Sequence, residues 1–338
     1  MVARLFVVSL AALLVSCTSV FDSYYPDSLE YLEAQADVRK DAGSQNIVQV
    51  HMQVLAATAL HSNDLLAVVV DLGDGTQTVL FYDKTMKLLR SYSQARLTAA
   101  NGGTVPDLYP IGQDGTMVRT GASEYVFPSS SPTLQTSTTA LQPPLDAAQN
   151  NGYGLSGYKL VYYEDAANSL SFPVLFNPTG NTVQIWQNSS WTRISDISSS
   201  SVNVQFPASA SFNNMLGVTC WNKKYYMVLT GGGSNFYLAT TDSATADFSG
   251  GTFVTAQPKD SNGNNTGDGW ATATAGVVRS HSDNASILTA FSWSGKQLGT
   301  LRIASDSDSV AFAFHPDGSL WYLYDPGTGK ITQYRAWW

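Results

Sequence analysis

From Ile47 to the end of the chain, short apolar runs rich in Val, Ile, Tyr, Phe and Thr alternate with clusters of Gly, Asn, Asp, Pro and Ser. β-Branched and aromatic side chains suit a pleated, half-buried surface, and the clusters supply turn chemistry. The pattern therefore predicts strands and hairpins in quick succession. No stretch after Ile47 holds a 3.6-residue period long enough for an ordinary helix. The expected fold class is all-β. Before Ile47 the pattern changes. "PDSLEYLEAQADVRK" (26–40) sets Asp27 three residues before Glu30 as a capping box, with Leu29 and Leu32 at i, i+3. It predicts a short helix within a polar tether over residues 17–45.

The strand-rich part repeats itself. "DLGDGTQTVLFYDKTMKLLRSY" (71–92) and "AFHPDGSLWYLYDPGTGKITQY" (313–334) share one layout: an Asp-Gly turn, an aromatic strand ending in Tyr-Asp, a Thr-containing turn closed by Lys, and another strand. Asp74-Gly75 recurs as Asp114-Gly115. A repeat of this length built from short strands is a β-propeller blade, and the chain has room for about six, with seven as the alternative. Innermost strands are expected to begin near Leu65, Asp107, Tyr153, Phe212, Trp270 and Ser309. Residues 128–150, 198–211 and 259–269 read as polar insertions. The propeller domain is expected over 46–338. Its first run, "NIVQVHMQVLA" (46–56), is expected to complete the last blade, because that pairing would hide two open sheet edges.

"HPDGSLWYLYDPGTGKI" (315–331) resembles a blade of the NHL, YVTN and TolB-type bacterial propellers, and its D-x-x-T-G-K element is similar to PQQ-type blades. The likeness is close for the last blade and looser for the first. The other blades lack the tryptophan-docking signature of PQQ propellers, and no Trp-Asp dipeptide marks a WD40 repeat. What the resemblance implies is the fold.

The first residues carry a different signal. Arg4 is followed by an apolar run from Leu5 to Val15, broken only by Ser9, and then by Ser16 and Cys17. The run is too short to span a bilayer, which takes roughly 20 apolar residues. "LLVSC" (13–17) resembles the lipobox of bacterial lipoproteins. That resemblance implies a signal peptide over 1–16, acylation of the Cys17 thiol (a palmitate-type modification), and a lipid-anchored place in the bacterial cell envelope. The outer membrane or cell surface is expected ahead of the inner membrane. The second cysteine, Cys220, sits in the strand-like "MLGVTCW", and an acylated Cys17 leaves it no disulfide partner within the chain.

Charge and candidate chemistry narrow the function. Across 338 residues there are 18 Lys and Arg against 26 Asp and Glu, a formal net charge of −8. That balance excludes nucleic acid as a partner, whose affinity rests on basic contacts to phosphate. It also speaks against a polybasic membrane-binding surface. His51, His61, His281 and His315 form no pair at metal-ligand spacing, and no motif asks for a cofactor. A weak calcium candidate is "DSNGNNTGDGW" (260–270), offering Asp260, Asn262, Asn264 and Asp268. It has Asn265 where the loop wants Gly and Ala271 where the bidentate Glu belongs. Outside the tether the glutamates are Glu124 and Glu164, a thin supply for paired-carboxylate hydrolysis. Of the eight tryptophans, Trp186 and Trp191 flank the polar turn "QNSS" and are the candidate ligand-binding anchors. The expected function is an envelope lipoprotein that binds or scaffolds a protein or glycan. The alternative is an envelope glycan hydrolase or lyase on the same fold.

Overall fold

The computed structural model describes residues 31–55, 65–74, 76–95, 108–111, 115–120, 123–128, 135–136, 159–165, 170–177, 182–187, 190–193, 210–231, 236–242, 252–254, 268–282, 285–303 and 309–338. They open with β1 (Tyr31–Asp37) and a single short helix turn, α1 (Val38–Asp41), capped by the Asp37 carboxylate on the Lys40 N–H. Six antiparallel sheets of four strands follow in chain order. The first holds β2 (Gln49–Leu55), β3 (Leu65–Asp71), β4 (Thr76–Asp83) and β5 (Leu88–Ala95). The second holds β6 (Leu108–Ile111), β7 (Gly115–Thr120), β8 (Ser123–Pro128) and β9 (Gln135–Thr136). The third holds β10 (Lys159–Asp165), β11 (Leu170–Asn177), β12 (Thr182–Gln187) and β13 (Ser190–Arg193).

The fourth sheet is β14 (Ala210–Trp221), β15 (Lys224–Gly231), β16 (Phe236–Asp242) and β17 (Thr252–Val254). The fifth is β18 (Gly269–Ala271), β19 (Gly276–Ser282), β20 (Ala285–Phe291) and β21 (Gln297–Ile303). The sixth takes β22 (Ala311–Phe314), β23 (Leu320–Asp325) and β24 (Lys330–Arg335) from the end of the chain, and β1 from the beginning. The first strands of successive sheets touch in a circle, β2 to β6 to β10 to β14 to β18 to β22 and back to β2. That is a β-propeller.

Two sequence expectations are corrected here. The run 46–56 does not complete the last sheet; it forms β2, the innermost strand of the first sheet, paired with β3 from Gln49↔Asp71 to Leu55↔Leu65. Leu65 accordingly opens a second strand and not an innermost one. The closing strand is β1, which lies antiparallel on β24 from Tyr31↔Tyr334 to Asp37↔Lys330. It arises inside the stretch read as a helix. Its buried residues Ala34 and Ala36 alternate with exposed Gln35 and Asp37, the two-residue period of a strand covering a core on one face. An open edge on β24 offers a full row of backbone partners, and this outweighs the helix preference of Leu, Glu and Ala.

The core between the sixth and first sheets joins Ala34, Ala36 and Val38 to Val68, Val70, Leu80, Tyr322, Tyr324 and Ile331. Arg39 pins the corner by donating to the carbonyls of Pro326 (2.6 Å) and Gly327 (3.3 Å). Between the fourth and fifth sheets, glycines let the inner strands approach. A Cβ on Gly217 would lie 2.6 Å from the Gly269 carbonyl oxygen, and one on Gly269 would lie 2.7 Å from Leu216 Cβ.

Candidate binding surface

In every sheet the innermost strand finishes at one end, called here the exit end. Second and fourth strands begin there and third strands finish there. The register then yields a pattern that spacing along the chain hides. Trp221 ends β14, and Trp270 is the penultimate residue of β18. Trp293 lies in the turn after β20, and Trp321 is second in β23. Trp337 and Trp338 follow β24, while Trp186 and Trp191 flank the turn between β12 and β13. All eight tryptophans lie within three residues of an exit-side strand end.

In the fifth and sixth sheets these rings form one cluster. Trp321 is fully buried, stacks on Tyr334 at 4.7 Å and donates its indole N–H to the Arg335 carbonyl at 3.0 Å. Trp337 packs edge-on against Trp321 (5.3 Å) and Trp338 (4.7 Å). Trp270 leans on Phe312 and Phe314 at 5.6 and 5.1 Å. The Trp338 indole N–H reaches Thr274 Oγ1 at 3.1 Å, fastening the C-terminal residues over the β18–β19 turn. Trp337 lies across β21, and a Cβ on Gly299 would sit 3.1 Å from its ring. The cluster holds the last residues of the chain flat against the exit end. Trp293, in the turn after β20, packs instead on the fourth sheet, 5.2 Å from Tyr226.

Beside this cluster the β22–β23 turn carries His315 and Asp317. Buried His315 donates from Nδ1 to Asp317 Oδ1 at 2.6 Å, and the same oxygen accepts from the Ser319 N–H and hydroxyl at 2.7 Å each. Burial alone would raise the Asp317 pKa, but the bonds from His315 and Ser319 outweigh it and hold the carboxyl at about 2. Trp221 closes on the His315 ring edge-to-face at 5.8 Å, so the fourth and sixth sheets meet across the fifth. Gly318 sits at φ +80° directly against the hydroxyls of Thr272 and Thr274, where no side chain fits.

The candidates from the sequence fare differently. Trp186 and Trp191 lie directly opposite one another on β12 and β13, so they share a sheet face one step from the hairpin turn. Asp268 is an exposed carboxylate 3.3 Å from the guanidinium of Arg279, which is itself 3% exposed and rests 5.2 Å from the Phe312 ring. Its place is therefore that of a counter-charge to a buried arginine. Asp260, Asn262, Asn264 and Cys17 lie outside the described residues. Cys220 is half-buried on β14. Among the described residues, no three His, Cys, Asp or Glu side chains converge in a metal-binding group. No helix among them is long and apolar enough to cross a membrane. Sequence reasoning missed the cluster around Trp321, because its members come together only through strand register.

No family model matches the chain. No curated protein matches it either. Solved structures resemble it at low identity. A mutant of AofleA from Arthrobotrys oligospora aligns with TM-score 0.48 and 9% identity over 86% of this chain and 81% of that one. A mutant of the Aleuria aurantia lectin in complex with α-methyl-L-fucoside gives 0.42 and 11% over 91% and 97%. The SapL1 lectin in complex with α-methyl fucoside gives 0.41 and 14% over 86% and 98%. At this distance the likeness assigns no ligand.

Proposed function

We propose that this protein is a lipid-anchored lipoprotein of the bacterial envelope whose propeller binds or scaffolds a protein or glycan partner. The observation that supports the binding role is the placement of Trp186 opposite Trp191. Two tryptophans at paired positions of an outer hairpin, beside a polar turn, are the residue type that anchors the apolar face of a sugar or a partner side chain. Replacing both by alanine is expected to weaken capture of the partner from envelope extracts, or binding on a glycan array, by about 2 kcal/mol while leaving the melting temperature nearly unchanged. A drop in stability of roughly 3–5 kcal/mol would assign both rings to packing and retire the site. The anchor has its own test. Cys17→Ser is expected to abolish incorporation of an alkyne fatty acid, since acylation needs the thiol, and label retained on that variant would refute it.

A further inference from the structure

We propose that the hairpin between β3 and β4 binds a calcium-type divalent cation through Asp71, Asp74 and Gln77. Strand register brings the first and last of these together. Asp71 ends β3 and lies directly opposite Gln77, the second residue of β4, so the two share a sheet face with Cβ atoms about 5 Å apart. Gln49 of β2 stands opposite Asp71 from the other side, in the same row. Val70 and Leu80 belong to the other face, in the core shared with the sixth sheet. Asp74 stands exposed in the short connection between the two strands. Three oxygen-bearing side chains thus occupy positions i, i+3 and i+6 around one tight turn.

The observation that asks for a ligand is Gln77. Its side chain is 1% exposed, and its amide oxygen Oε1 has no hydrogen-bond partner. A buried acceptor without a donor is costly. The neighbouring group is the buried Asp71 carboxylate, which accepts hydrogen bonds and has none to give when ionised. A cation satisfies two such oxygens at once. The turn that presents them is held by bonds of its own. Asp71 Oδ1 accepts from the Gly73 N–H at 2.9 Å, and the Asp71 carbonyl accepts from the Val48 N–H at 2.8 Å. Asn46 Nδ2 donates to the Leu72 carbonyl at 3.2 Å. Carboxylates and an amide carbonyl are hard ligands, which favour calcium or magnesium over zinc or copper. Calcium accepts irregular oxygen sets completed by carbonyls and water, whereas magnesium demands a near-ideal octahedron. Two carboxylates with one amide match the low ligand charge of extracellular calcium modules, whose affinities are about 10⁻⁴–10⁻³ M. The hairpin is a different segment from the 260–270 loop, and the reading depends neither on the Cys17 anchor nor on the Trp186 and Trp191 pair.

The test strips the full chain with a chelator and titrates it with calcium chloride, or with magnesium chloride at the same ionic strength, followed by calorimetry and thermal melts. Calcium is expected to bind and to raise the melting temperature, and magnesium to do so more weakly. Gln77→Leu removes the stranded oxygen, so the stripped variant is expected to fold at least as well as the parent while its calcium affinity falls by about tenfold or more. Asp74→Asn, at an exposed position, is expected to weaken calcium in the same way, and it decides the matter alone if Gln77→Leu does not fold. Absence of calcium uptake by the stripped parent overturns the proposal and leaves the Gln77 oxygen to an ordered water. Uptake that both variants leave unchanged overturns it too. So does uptake abolished by the pair Asp260→Asn, Asp268→Asn, which would place the cation in the 260–270 loop. Magnesium binding as tight as calcium would contradict the calcium-type assignment.

Discussion

The Asp317 carboxyl takes three donors onto one oxygen within a single turn, from His315 Nδ1 and from the N–H and hydroxyl of Ser319. Its pKa falls from 3.8 in the unfolded chain to about 2 when folded. A depressed carboxyl stabilises the fold fully above its unfolded pKa and loses that contribution as pH drops through the folded value. Asp317→Asn is therefore expected to flatten the loss of melting temperature between pH 3.8 and about 2. An acid limb as steep as that of the unaltered protein would show that the turn plays no part. Read from sequence, "HPDG" is a structural turn, and the residues bear that out. What the sequence does not disclose is Trp221 against His315, because that contact depends on two strands reaching the same end of the ring. Asp268 teaches the same lesson. Its oxygen-rich neighbours suggested a cation, and among the described residues its carboxylate meets Arg279, turned toward it from the adjacent strand.

At the scale of elements, β1 is the strand that sequence reasoning mistook. Leu29 and Leu32 fit a helix, and Ala34, Ala36 and Val38 fit a strand. Local preference cannot choose between them, and the unpaired edge of β24 does. The consequence is measurable. Deleting residues 31–37 exposes that edge and uncovers Tyr324 and Ile331, so the melting temperature is expected to fall by many degrees. Deleting 18–30 is expected to leave it within a degree or so of the full chain. Equal midpoints for the two truncations would mean that β1 contributes nothing to closure. Most other strands were legible, since an innermost strand lies within a few residues of the positions read at Asp107, Phe212, Trp270 and Ser309. The alternation of apolar residues with Gly, Asn and Asp marks strand limits well. It does not say which strand of a sheet lies innermost, and so Leu65 was misplaced by one strand.

For the whole molecule, the propeller could be read from two matching repeats, whereas its polarity could not. Strand direction alternates, so that each chain reversal of the same kind points the same way. The tryptophans follow the same rule, irregular along the chain and gathered in space. The pairing of β1 with β24 also bears on how the protein is made. Gln35 and Thr332, bonded across that pair, are 297 residues apart. Bringing together the ends of a flexible segment of that length costs about 5 kcal/mol of chain entropy. β1 is thus synthesised long before its partner, and the sixth sheet stays incomplete until residues 330–335 have been made.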